Sequence, residues 1–210
     1  QIKEYLGRMN GNVPNHPLKK TTDDYLTTER HSVTKHELVN GKVIGLSGSN
    51  RWHNLIVSNV AIGMGSRIHG HRCEIYISNI RVILENGFIC YPDIAVVSGE
   101  PEFTDKNLDV LVNPTFLVDV FSSEVNSTAK TTKLESFLAM KSIKECLLIK
   151  EDEMRIEHYA KQTPKQWIYK TYDSREDVIS IDSIGCKISL QEIYSGVKLK
   201  QAELSSRAVN

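Results

Sequence analysis

The chain has 210 residues, 40% of them hydrophobic and 25% charged, and its 26 basic side chains are balanced by 26 acidic ones. That length suits one domain with a full core, and no apolar run approaches a membrane span. Zero net charge excludes a globally basic nucleic-acid binder but leaves room for a local groove of lysine and arginine. Cys73, Cys90, Cys146 and Cys186 form no CxxC pair, which argues against a zinc knuckle. They read as small buried hydrophobes in a reducing, cytoplasmic setting, and the first residues carry no signal-peptide pattern.

In chain order, residues 1–22 hold glycines and prolines without a sustained period and read as a loosely ordered arm. A single domain is expected over 23–200, with a tail at 201–210. Asp23 to Arg30 suits a short helix. His36–Val39 and Lys42–Leu46 flank Asn40-Gly41, the strongest short hairpin signal. Between Asn50 and Gly70 the residues Ile56, Val60, Met64 and Ile68 recur at helical spacing, with Ser49 or Asn50 as the cap. Gly63 and Gly65 weaken that helix interior. His69 and His71 flank Gly70 with no third ligand nearby and are expected in a loop. Asn86-Gly87 joins Arg81–Leu84 to Phe88–Cys90. A second helix is expected over Thr128–Met140, with Leu134, Phe137 and Leu138 at its apolar centre. Strand-like runs follow at 145–149, 154–160, 166–172 and 178–181. This mixed order of elements predicts an α/β fold with a central mixed β-sheet flanked by α-helices.

Two acids interrupt apolar, β-branched runs: Asp93 in Tyr91-Pro92-Asp93-Ile94-Ala95-Val96-Val97 and Asp119 in Phe116-Leu117-Val118-Asp119-Val120-Phe121. Burying a carboxylate costs free energy unless it is paired or holds a metal. On neighbouring strands the pair would suit a divalent cation; equally, each acid could be tied to a backbone amide or a lysine for structural reasons. Strand alternation puts Leu117, Asp119 and Phe121 on one face and Phe116, Val118 and Val120 on the other.

The Pro92-Asp93 strand and the acid in Val118-Asp119-Val120 resemble the core of the PD-(D/E)xK nuclease superfamily. More narrowly, the chain is similar to the Uma-type family of restriction endonucleases. The likeness rests on Glu37 in His36-Glu37-Leu38-Val39, the Pro-Asp strand, Asp119-Val120-Phe121-Ser122, the helix segment Lys130-Thr131-Thr132-Lys133-Leu134-Glu135, and the strand Glu145-Cys146-Leu147-Leu148-Ile149. It implies a restriction-endonuclease-like core and Mg²⁺-dependent hydrolysis of DNA phosphodiesters, with Mn²⁺ as a substitute. Asp93, Asp119 and the main-chain carbonyl of Val120 would hold the metal, Glu37 would assist, and Lys133 would position the attacking water.

The chain departs from the superfamily pattern at two places. Phe121 stands where the lysine two residues after the second acid is usual, so the resemblance moves that role to Lys133 on the following helix. Asp119 stands where the Uma-type pattern usually has the longer Glu. Lys130, one turn earlier, is a candidate phosphate contact. His53 falls where the family often has a histidine, but its own context reads as structural or surface. Trp52 and Trp167 are too isolated to define a stacking platform. No phosphate-binding glycine loop or serine elbow is present. The alternative is a nuclease-fold protein without catalysis that binds nucleic acid or scaffolds; a small-phosphoester hydrolase is a third option. A homodimer would suit cleavage of two strands.

Overall fold

A computed structural model describes residues 19–68, 72–123 and 127–199. The expected N-terminal arm up to residue 18, the His69–His71 loop, residues 124–126 and the C-terminal tail lie outside the described residues.

The short first helix, α1 (Thr22–Glu29), is closed at its start by a reciprocal capping box between Thr21 and Asp24. Strands β1 (His36–Val39) and β2 (Lys42–Gly45) pair antiparallel across Asn40 and Gly41. Both turn residues have positive φ, 52° and 77°, as a two-residue turn matched to the strand twist requires. Helix α2 (Arg51–Ile68) starts where Asn50 Oδ1 accepts from the backbone N–H of Trp52 (2.8 Å) and His53 (3.0 Å).

The next strands are β3 (Cys73–Ile77), β4 (Arg81–Ile83), β5 (Ile89–Cys90), β6 (Ile94–Ser98), β7 (Val110–Leu111) and β8 (Phe116–Phe121). Helix α3 (Ser127–Ala139) precedes β9 (Glu145–Lys150), β10 (Ile156–Thr163) and β11 (Gln166–Tyr172). The hairpin β12 (Val178–Ile181) and β13 (Cys186–Ser189) and the short helix α4 (Leu190–Ile193) complete the described chain.

The expected central mixed sheet is present as a six-stranded sheet in the order β11-β10-β9-β8-β6-β3. Its strands β8 and β9 run parallel, joined by the α3 crossover, and the other neighbours are antiparallel. A second, five-stranded sheet, β2-β1-β5-β4-β7, was not foreseen as separate. Several of its strands are two or three residues long, too short for a period to register. Asp93 lies one residue ahead of β6 instead of inside a continuous strand, because the backbone bends after Cys90 and pairing resumes only at Ile94.

Side-chain alternation in the large sheet fills two cores. Ile94, Val96, Phe116, Val118, Leu147 and Ile149 pack against α2 and, beyond it, the β12-β13 hairpin and α4. The residues between them, Ala95, Val97, Leu117 and Cys146, face α3 through Phe137, Met140 and Ile143, and face the second sheet through Val82, Leu84, Phe88 and Cys90. Gly63 has a packing reason: a Cβ there would come within 2.7 Å of Ile188 Cδ1 on β13. Helix α1 covers the outer face of the second sheet, where Tyr25 and Leu26 meet Leu38, Ile89 and Val110.

Candidate active site

Alternation places Asp119 on the face of β8 shared with Leu117, toward α3 and the second sheet. Pro92 and the bend before β6 bring Asp93 to the same edge. The antiparallel register Ile94↔Val118, carried one residue further, sets Asp93 opposite Asp119, and the Val120 backbone N–H donates to Asp93 Oδ2 at 2.7 Å. Glu37 comes from β1 and accepts a hydrogen bond from Tyr91 N at 3.2 Å. Lys133 comes from α3 and bridges the two sheets: its Nζ lies 3.1 Å from Glu37 Oε1 and 2.8 Å from Asp119 Oδ2. The structure thus brings all four of these side chains into one cleft of about 1080 Å³. Val120 reaches it through the backbone amide just described.

Charge in this cluster is unevenly distributed. Burial, together with the nearby Asp93 and Glu37 carboxylates, pushes Asp119 up to about 6 against the opposing pull of Lys133. Burial works against a charged Lys133 too, but Asp119 and Glu37 outweigh it and hold the ammonium well above its ordinary range. Lys133 is therefore a bound cation at neutral pH, a donor and not a base.

Two further residues, His53 and Glu151, belong to the same network. His53 Nε2 is 2.8 Å from Asp93 Oδ1, and its Nδ1 is 3.5 Å from Glu151. Asn50, the α2 cap, donates to the other Glu151 oxygen at 2.8 Å. Burial lowers the basicity of His53, but the hydrogen bond and charge of Asp93, then Glu151 and Asp119, raise it overall. The surface reading of His53 is thus corrected: capping by Asn50 turns the first helical residues into the cleft. Glu151 carried a weaker signal. It follows β9, and parallel pairing of β8 with β9 puts the ends of both strands at one edge of the sheet.

Lys130 is engaged differently from the expectation of a waiting phosphate contact. Its Nζ pairs with both oxygens of Glu157 at 3.0 and 3.1 Å and sits 4.0 Å from the centroid of the Phe121 ring. Phe121, at the usual lysine position, serves as the apolar seat of a lysine from the next helix.

The donor chemistry of the cleft suits a divalent cation. Mg²⁺ needs only one or two protein carboxylates, with water and phosphate oxygens completing its shell. Asp93 and Asp119 provide them on an open wall, and each oxygen of Asp93 accepts one hydrogen bond while retaining a further lone pair. Among the described residues no three His, Cys, Asp or Glu side chains enclose a cation. The set fits an open two-carboxylate site, unlike a closed structural cage.

A lysine on the crossover helix, an acid on β8 and a Pro-Asp bend before β6 form one site on this sheet topology. The family model Uma2, described as "Putative restriction endonuclease", matches residues 22–191. The chain belongs to the Uma2 family. Within known proteins, this Uma2 chain is 30% identical over 149 residues to an uncharacterized protein of Synechocystis, covering 70% of this chain and 84% of that one. A second uncharacterized Synechocystis protein is 23% identical over 187 residues, 88% of this chain and 96% of the relative. The fold matches the crystal structure of "a putative nuclease belonging to DUF820" from Anabaena variabilis with a TM-score of 0.71. That match has 18% identity and covers 85% of this chain and 99% of the other. The Uma2 membership and this neighbour give the chain a restriction-endonuclease-like fold. No helix among the described residues is long and apolar enough to cross a membrane.

Proposed function

We propose that this Uma2 chain is a metal-dependent endonuclease that hydrolyses phosphodiester bonds of DNA. The observation that carries the reading is Lys133, held 2.8 Å from Asp119 and 3.1 Å from Glu37 although the strand lysine is replaced by Phe121. An acid-lined cleft with an internally delivered ammonium is what phosphodiester hydrolysis asks of a protein. Charge grows on the non-bridging oxygens during attack, and a fixed cation stabilises it without reorganisation. Asp93 and Asp119 would hold Mg²⁺ or Mn²⁺, which when bound would polarise the phosphate and acidify a water. The Val120 amide and His53 fix Asp93 by one hydrogen bond to each oxygen. Glu37 holds Lys133 from the second sheet, so that the ammonium remains between two acids instead of folding back on one. Lys133 donates to the attacking water or to a phosphate oxygen while keeping its proton.

Plasmid and oligonucleotide DNA incubated with Mg²⁺ or Mn²⁺ should be cut, with cleavage abolished by EDTA and by Asp93→Asn, Asp119→Asn or Lys133→Met. Cleavage that persists in all three variants would defeat the assignment. One observation favours a second reading, a nucleic-acid-binding module without catalysis. Phe121 stands where the superfamily usually carries its lysine, and Asp119 where the family usually has the longer Glu, so two positions of the catalytic pattern are altered while the cleft is kept. Salt-sensitive binding without cleavage under either metal would select that reading.

A further inference from the structure

Five acids line the cleft: Glu37, Asp93, Asp119, Glu151 and Asp152. Among the described residues three lysines line it, Lys130, Lys133 and Lys198, and the first two are paired with glutamate or aspartate. Attraction of a phosphate backbone scales with the cations that meet it, so this cleft gains little from that source. The walls instead offer apolar surface: Ile44 and Leu46, at the end of the β1-β2 hairpin, stand 47% and 38% exposed on it. A nucleic-acid strand brings one apolar group with a flat face, the nucleobase.

The aromatic rings of the cleft are unequally available. Phe88 and Phe137 are buried in the core between the sheets. Phe121 is covered by Lys130, and Tyr91 has Lys35 and Arg81 each 5.4 Å from its ring centre. Trp52 remains, half-buried, in the first turn of α2. The Arg51 guanidinium lies 4.7 Å from its ring centroid, a contact that uses one face and steadies the indole. Its backbone is pinned by the Asn50 cap, and the next residue, His53, holds Asp93 at 2.8 Å. The platform is therefore tied, one residue along the chain, to the acid edge where the phosphate would be cut.

We infer that Trp52, backed by Arg51, is a stacking platform for an unpaired nucleobase next to the scissile phosphate, so that the site takes single-stranded or locally opened nucleic acid in preference to closed duplex. Trp52 is isolated from other aromatic residues along the sequence, but the fold seats it against Arg51 beside the acid edge. The inference rests on the nuclease reading for its ligand class, and its test separates the two.

Trp52 and Trp167 are the two tryptophans of the chain, so Trp167→Phe leaves Trp52 as the reporter. This protein is titrated in Ca²⁺ with a 12-nucleotide deoxy strand, the matching ribo strand, the deoxy duplex, and an abasic strand of equal length. Both base-bearing single strands should quench the fluorescence, and their relative affinities identify the sugar preferred. The duplex and the abasic strand should bind weakly and quench little. Read by the fluorescence anisotropy of end-labelled strands, which needs no tryptophan, Trp52→Ala should weaken single-strand binding about tenfold to a hundredfold and leave abasic binding unchanged, while Trp52→Phe retains most of the affinity. Thermal melting by circular dichroism checks that both variants are folded. Equal affinity of Trp52→Ala and its parent for base-bearing strands, equal quenching by duplex and single strand, or no binding of any strand overturns the platform. Cleavage in Mg²⁺ is scored separately on the unsubstituted protein. If cleavage occurs and Trp52→Ala is indifferent, the platform falls and the nuclease stands; if base-dependent binding occurs without cleavage, the platform stands in a binding module.

Discussion

Asp119→Asn should abolish cleavage and at the same time stabilise the metal-free protein. The wild-type carboxylate is displaced upward from 3.8 to about 6 by burial and by the neighbouring acids. At 1.36 kcal/mol per unit this corresponds to roughly 3 kcal/mol of native-state cost once the group is ionised. The side chain keeps 14% exposure and a lysine partner, and Asn can still accept from Lys133, so a gain of about 1–3 kcal/mol is expected. For a chain of this length that is a rise in melting temperature of about 3–10 °C. The sign fixes its pH dependence. A carboxylate whose folded pKa lies above its unfolded one binds more protons in the folded state, so its cost is full above about 6 and disappears as pH falls toward 3.8. Urea denaturation of wild type and variant in EDTA at pH 8 and at pH 4 measures both points. Added Mg²⁺ should then stabilise the wild type through linkage and leave the variant nearly unmoved. A variant less stable than wild type at pH 8, or a difference that does not shrink by pH 4, would refute the reasoning.

Lys133→Met should lower turnover by about a hundredfold or more, read in single-turnover cleavage of a labelled oligonucleotide. It should also cost about 1–3 kcal/mol in urea titrations, because the 26%-exposed ammonium satisfies two carboxylates at once. Glu157→Gln removes the charge that holds Lys130. Single-strand binding should tighten, with a salt slope steeper by about one ion, and Lys130→Met should cancel the gain. Away from the cleft, Glu145 is 5% exposed and, despite burial, held below its ordinary value by His158 and Ser183. Its contribution is present above pH 4.5 and lost as pH falls below it, so Glu145→Gln should flatten the acid limb of the stability curve and lower stability at pH 7 by about 1–3 kcal/mol.

How much of this was legible in the chain depended on element length and on distance. The helices at Arg51–Ile68 and Ser127–Ala139 and the strands at Phe116–Phe121 and Glu145–Lys150 are long enough for periodicity to show. Asn40-Gly41 announced its hairpin because a tight turn demands left-handed backbone at both positions. Two hairpins of the second sheet, across Asn40-Gly41 and Asn86-Gly87, were legible, but their assembly with β7 into a separate sheet was not, since β7 has two residues and its partner is set by packing. The juxtaposition of Glu37, Asp93, Asp119 and Lys133 came from resemblance, not from local pattern, and only the fold shows Lys133 crossing to two acids. His53 was weighed but read from its own context as structural or surface, and Glu151 was not singled out, because their partners lie 40 and about 100 residues distant along the chain. The ion pair of Lys130 was illegible as well: helix spacing pointed it inward but gave no sign of Glu157 on β10.

The Lys133–Glu37 contact joins residues 96 apart and spans the junction between the two sheets. Glu37 rides on the small sheet, whereas Asp93 and Asp119 ride on the large one, with α3 wedged between them through Phe137. The active arrangement therefore exists only while that seam is shut. A partial parting of the sheets, short of unfolding, would carry Glu37 away and leave Lys133 to Asp119 alone, with both sheets' internal hydrogen bonds intact. If the cleft is the active site proposed above, its competence would be a property of the joint: on warming, cleavage should vanish before the β-sheet signal does.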